Sequence, residues 1–302
     1  MSNRFAEIGE RLRAYRMGRG LAAEEVAERL GVSRAAVYRI EAGEIVKIET
    51  LDRLANVLET SVSSLLGLGV EYYASAISYF ERMRQVEERS EQVIAHFPPL
   101  SYLLTSDNYA RQLKQTLVEA VPSEDRKARE AEIDAIIAVL DERKQARNRR
   151  HLSVVNFVNM PEIERWLKLG LVGRFNLPQD EVVERRLAAR AEIEHLIKLI
   201  EREPMGVQIG LIEEPLPNIT FQLFRTAERT LLGLSPFRLG GELPNIRTGI
   251  AMLTADDEPV KLYEQLVENL WRRAHKGREA AAQLRIVLER SAIKPAHTRK
   301  AS

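Results

Sequence analysis

The string LAAEEVAERLGVSRAAVYRIEAG, Leu21 to Gly43, constrains this chain more than any other stretch. It reads as two short amphipathic helices with only Gly31, Val32 and Ser33 between them. So short a connection folds the second helix back across the first at a steep angle, and the pair must share one small core. Gly31 stands where a left-handed helix cap is needed, a conformation that a residue with a Cβ enters only at a cost. Val32 is expected on the buried side of the turn. Ser33 is placed to cap the free N–H groups of the second helix, whose Val37 and Ile40 face inward.

The flanking residues complete a bundle. Phe5, Ile8, Leu12 and Tyr15 recur at three- and four-residue spacing, as the inner face of a helix closed by Gly18 and Gly20 requires. Beyond the loop EIVKI, Glu49 to Glu59 gives a helix with Leu51, Leu54, Ala55 and Leu58 inward, and Ser61 to Leu66 a short last one. Residues 1–69 are therefore expected to form an all-α, five-helix domain. Its third helix turns Arg34, Ala35, Tyr38 and Arg39 outward. A helix presented in this way fits the DNA major groove, where each base pair shows a distinguishable pattern of donors and acceptors. Overall charge gives no help: the chain has 45 Lys and Arg against 44 Asp and Glu, and ten of each sign lie within the first 67 residues. Any contact with phosphate must come from where cations are placed.

IGERLRAYRMGRGLAAEEVAERLGVSRAAVYRIEAG followed by IETLDRLANVLETSVSSLL resembles the Cro/cI-like, xenobiotic response element family of helix-turn-helix regulators. The resemblance covers about the first 67 residues, a fifth of the chain. It implies a lambda-repressor-like fold, a structural ion pair between Arg16 and Glu41, contacts from Ser33 and Lys47 to the DNA backbone, and base reading by Arg34, Ala35, Ala36 and Arg39. Two departures stand out. Ala22 and Ala23 occupy the start of the second helix, where the family commonly has Ser or Thr and then Gln, so a cap and a phosphate contact are missing. Glu44 sits near the expected DNA side and should repel phosphate.

From Val70 the composition shifts. EYYASAISYFERMRQVEERSEQVIAHF is helical by period and predicts a linker helix over 70–97. Two more helices are expected within 106–150. Short β-branched runs follow, LSVVNFV, GVQIGLI, ITFQLF, RTLLGL and IRTGIAML, bounded by Pro, Gly, Asn or charges. With helices at about 161–169, 179–202 and 257–273 and a last one to about 290, residues 98–292 are expected to form an α/β or α+β domain with a sheet of about five strands and flanking helices. Residues 293–302 are expected to be a disordered tail. The order of features, including LLTSDNYARQL, is similar to sensor domains appended to regulators of this family, which implies a small-molecule or protein signal read by residues 70–290.

The absence of cysteine excludes disulfides, thiolate metal sites and a cysteine nucleophile. His96, His151, His195, His275 and His297 show no paired spacing, and Glu192 with His195 is a lone Glu-x-x-His, so no metal or cofactor is expected. Gly67 with Gly69, and Gly240 with Gly241, lack the setting of a phosphate-binding loop. Trp166, Arg174, Phe175, Arg225, Tyr263 and Trp271 could line an effector pocket, although core packing and surface pairing account for them first. The charged N-terminal stretch lacks the apolar core of a signal peptide and no run of about 18 apolar residues occurs, so a cytoplasmic location is expected. The reading is a homodimeric repressor-type regulator of double-stranded DNA, no enzyme, with an inverted-repeat operator and a possible small-molecule effector. An antitoxin-like interaction module and an enzyme fused to a DNA-binding headpiece stand as alternatives.

Overall fold

The computed structural model describes residues 2–44, 47–150, 152–216, 219–240 and 243–292. Five helices open it: α1 (Ser2–Gly18), α2 (Ala23–Leu30), α3 (Arg34–Glu41), α4 (Ile48–Val57) and α5 (Val62–Leu66). Their ends follow local chemistry. Gly31 closes α2 at φ 70°, its N–H reaching the carbonyls of Ala27 and Glu28. Ser33 and Ser61 cap α3 and α5, accepting from the N–H groups of Ala36 and Ser64. Leu12, Val26, Leu30, Val37, Leu54 and Leu58 fill the bundle.

Two expected inward residues are not inside, for Phe5 and Val32 are each 37% exposed. Val32 closes the α2 cap with its backbone, donating to the Ala27 carbonyl at 3.0 Å, and its side chain stays at the rim. On α1 a charged residue takes the buried face instead: Arg11 is only 2% exposed.

The rest of the chain runs β1 (Val70–Tyr73), α6 (Ala76–Glu87), β2 (Ser90–His96), α7 (Tyr109–Glu119), α8 (Arg126–Arg150), β3 (Ser153–Asn159), α9 (Met160–Leu169), α10 (Gln179–Arg202), β4 (Val207–Ile212), β5 (Thr220–Thr226), β6 (Thr230–Ser235), β7 (Ala251–Thr254), α11 (Asp257–Arg273) and α12 (Gly277–Arg290). The strands form one seven-stranded mixed sheet in the order β1-β7-β6-β5-β2-β3-β4. The pairs β2–β3 and β3–β4 are parallel and the others antiparallel. All five expected strands are present as β3 to β7.

The linker helix expected over 70–97 is corrected to strand, helix, strand. Only its middle, α6, is helical. The ladders that make its ends into strands lie far along the chain: Val70 pairs with Thr254, and Ile94 lies between Val155 and Leu223. The tail at 293–302 lies outside the described residues.

Side chains alternate across the sheet with period two. Val93, Val154 and Val158 join the larger core with α6 to α10 and α12, while Ile94, Val155 and Phe157 pack beneath Val260, Val267 and Leu270 of α11. The larger core continues without a break into the five-helix bundle. There α1 lies along α6. Tyr15 stacks on Tyr73 with ring centroids 4.9 Å apart, and its hydroxyl donates to the Tyr72 carbonyl at 2.9 Å.

A buried charge cluster pins the same junction. The Glu71 carboxylate accepts from Arg11 Nε at 2.6 Å, Arg82 Nε at 2.9 Å and the Tyr73 hydroxyl at 2.6 Å. Burial alone would raise its pKa, but Arg82 and Arg11 hold it at about 2.

Candidate nucleic-acid interface

The α2–turn–α3 unit follows from three local requirements. Gly31 turns the chain, and a Cβ there would meet no atom, so its φ is what excludes other residues. Ser33 begins α3 with its Oγ accepting from Ala36 N–H at 3.2 Å, which leaves its own hydroxyl hydrogen free to donate outward. Val37 and Ile40 anchor α3 from beneath. At the start of α2, Ala22 has no side chain to cap with; Glu25 compensates in part, taking the Ala22 N–H at 2.6 Å.

Packing against α1 fixes the angle of α3. Arg16 grips Glu41 with two hydrogen bonds, at 2.6 and 3.1 Å, and donates to the Leu21 carbonyl at 2.9 Å. The pair implied by the resemblance is therefore present and bidentate, a geometry that holds orientation as well as charge. Burial opposes the charge on Arg16, yet Glu41 raises its pKa above the usual arginine value. Gly9 lets α1 and α3 touch, since a Cβ there would stand 2.3 Å from the Glu41 carbonyl oxygen.

On the outer face, Ser33, Arg34, Ala35, Tyr38 and Arg39 are exposed and Ala36 is half-buried. Six of the seven sequence candidates thus lie on or beside one helix. Lys47, the seventh, is exposed at the N-terminus of α4 across a loop.

Both arginines on this face, Arg34 and Arg39, hold a carboxylate, which the spacing of residues could not show. Arg34 pairs with Glu24 of α2 at 2.8 Å, donates to the Tyr38 hydroxyl at 3.2 Å and lies 5.3 Å from that ring's centre. Tyr38 and then Glu24 raise its pKa. Arg39 Nε donates to Glu44 Oε2 at 2.7 Å. The acidic loop residue expected to repel phosphate therefore also occupies Arg39. All four side chains are half-exposed or more, so these pairs are weak and exchangeable. Such a face can trade carboxylate for base edge or phosphate.

Elsewhere the polar candidates have structural occupations. Glu192 accepts from the Ser106 N–H at 2.9 Å and from its hydroxyl. Burial pushes His96 down to about 4, and its Nδ1 lies 3.2 Å from the Phe157 carbonyl. His275 lies between Glu279 at 2.8 Å and Glu213 at 3.1 Å. Among the described residues, no group of three or more metal-ligating side chains is placed to hold an ion, and no helix is long and apolar enough to cross a membrane.

The aromatic and basic candidates for a pocket do not converge. Trp166 is buried edge-on to Tyr109, Trp271 meets Phe157, Tyr263 meets Phe221, and Phe175 is 64% exposed. Arg225 reaches Gln92 at 3.0 Å, and Arg174 is exposed.

Residues 7–65 match the family model of a helix-turn-helix domain, in agreement with the resemblance to Cro/cI-like regulators. No match is found among curated proteins.

Proposed function

We propose, from the premise that residues 7–65 form a helix-turn-helix domain, that this chain is a sequence-specific DNA-binding transcriptional regulator acting as a repressor-type homodimer. The observation that carries the reading is the outer face of α3, where Arg34, Ala35, Tyr38 and Arg39 stand exposed behind a Ser33 cap on a helix fixed to α1 and α2. In this reading α3 enters the major groove. Arg34, Tyr38 and Arg39 read base edges, Ala35 and Ala36 contact a thymine methyl or allow close approach, and Ser33 and Lys47 hold the sugar-phosphate backbone.

One headpiece buries too little surface for tight binding, and a symmetric pair on an inverted repeat supplies the rest. Half-sites then lie about 34 Å apart, one helical turn. The C-terminal part dimerises and receives an effector, and the junction between α1 and α6 carries the signal. We assign the chain no catalytic step and place it in the cytoplasm.

The experiment is selection of bound fragments from genomic DNA by the purified protein, followed by gel filtration with and without the selected duplex. A recurring palindrome and two copies of the chain per duplex are expected. Recovery of random fragments, with no enrichment at any salt concentration, overturns the reading.

A further inference from the structure

The junction of headpiece and sheet contains a cleft of about 250 Å³ lined by Glu7 of α1, Arg82 and Val86 of α6, Arg89, the β5–β6 turn at 226–229, and Leu231. Its charged groups are unusually arranged. Three guanidiniums converge on the single Glu7 carboxylate: Arg11 at 3.1 Å, Arg229 at 3.0 Å and Arg89 at 3.6 Å. Arg89 also grips Glu10, and Arg82, held by Glu71 at 2.9 and 3.2 Å, reaches Glu10 and Gln85 at 3.4 Å.

The guanidiniums of Arg229 and Arg89 are part-exposed, 42% and 30%, so their hold on Glu7 is exchangeable. The charges of the cluster balance, with Arg11, Arg82, Arg89 and Arg229 facing Glu7, Glu10, Glu71 and Glu228. An ion-pair clamp with no other duty would close over its carboxylate. In this case open space remains beside it, with Val86 and Leu231 as apolar wall.

We propose that this cleft binds a small organic monoanion, a carboxylate on a short apolar body, which takes Arg229 and Arg89 from Glu7. The proposal rests on the effector reading above and gives it a site and a ligand class. A planar carboxylate can meet two guanidiniums at once. The volume limits the ligand to a few carbons, since drug-sized pockets start at about 300 Å³.

Arg229 is held ready by its turn, in which Thr226 Oγ1 accepts from the Arg229 N–H at 3.1 Å and Thr226 N–H donates to the Arg229 carbonyl at 3.0 Å. Glu7 belongs to the headpiece, whereas Arg229 and Arg89 belong to the sheet and its connections. A bound anion therefore removes ties between α1 and the C-terminal part. Arg11 keeps Glu7, so the headpiece loosens without losing its own helix.

The test is calorimetry on the full chain without DNA, using hexanoate and its neutral amide, hexanamide. Saturable binding of hexanoate and none of the amide is expected. Affinity should fall about tenfold or more in Arg229→Gln, which removes a charge-assisted hydrogen bond, and rise in Glu7→Gln, where the internal competitor is neutral. The proposal is overturned if hexanoate gives no saturable heat up to about 10 mM in both the natural chain and Glu7→Gln. Equal binding of the amide, or an Arg229→Gln variant that binds unchanged, also overturns it. Because DNA is left out, the cleft can fail while the DNA reading stands, and a failed DNA selection leaves the calorimetry unaffected.

Discussion

Replacing Glu44 by glutamine should tighten DNA binding, because the natural side chain opposes it in two ways. First, Glu44 Oε2 accepts from Arg39 Nε at 2.7 Å, and Arg39 must leave that partner to reach a base. With the two side chains 63% and 50% exposed, the pair is worth only about 0.2 to 1 kcal/mol. Second, a carboxylate about 8 Å from a phosphate costs roughly 0.5 kcal/mol in water, and salt reduces that to about half or less. Together these terms predict a gain of about 0.5 to 1.3 kcal/mol, or about two- to tenfold in Kd. The loss of one nearby negative charge should also steepen the salt dependence, by up to about 0.9 in the slope of log affinity against log salt. Fluorescence anisotropy on a selected duplex, repeated across a KCl series, measures both. Unchanged or weaker binding by a variant with the natural thermal midpoint would refute the reasoning, since it would mean that Arg39 does not leave Glu44 for DNA.

Other substitutions separate the roles assigned above. Arg39→Ala should cost about 1 to 3 kcal/mol on the selected duplex and relax preference at one base pair, whereas Lys47→Ala should weaken all sequences alike; competition with random DNA distinguishes them. Arg34→Ala should behave as Arg39→Ala, at about tenfold or more in Kd. Gly9→Ala should lower stability by about 1 to 3 kcal/mol and weaken DNA binding further, because a Cβ 2.3 Å from the Glu41 carbonyl must push α3 away from α1; urea melts and anisotropy report the two effects. Glu71→Gln tests the buried cluster through pH. A carboxyl held at about 2 in place of its usual 4.5 contributes about 3 kcal/mol, present above pH 4.5 and lost as pH falls toward 2. The natural chain should therefore exceed Glu71→Gln in stability at pH 7, with the gap closing through that window in urea melts, and a gap independent of pH contradicts the assignment.

The headpiece was legible because its determinants are local. Gly31, Ser33 and the three- and four-residue spacing of apolar residues act within a turn or two of helix, and the boundaries they predict agree with α1 to α5 within a few residues. The strands β3 to β7 were legible for a related reason: β-branched runs bounded by Gly, Pro or charge need no partner to be recognised. What could not be read depended on distant partners. Tyr73, Ile77, Phe80, Met83 and Val93 share a helical period, but Tyr73 and Val93 lie in strands created by β7, β3 and β5. Arg11 and Arg82 look like solvated helix residues until Glu71 joins them in the core. In the same way Arg34 and Arg39 were readable as an outward pair, while the carboxylates that occupy them were not. Glu24 comes from the facing helix, and Glu44 was visible only as a charge near the expected DNA side.

Methylation protection on a selected duplex examines α3 most directly, because dimethyl sulfate attacks guanine N7 from the major groove and adenine N3 from the minor groove. With the natural chain bound, N7 protection is predicted in two patches about one helical turn apart, each losing a protected guanine when Arg34 or Arg39 is replaced by alanine. Protection confined to adenine N3, or an N7 pattern that both alanine variants leave intact, would contradict a recognition role for this helix.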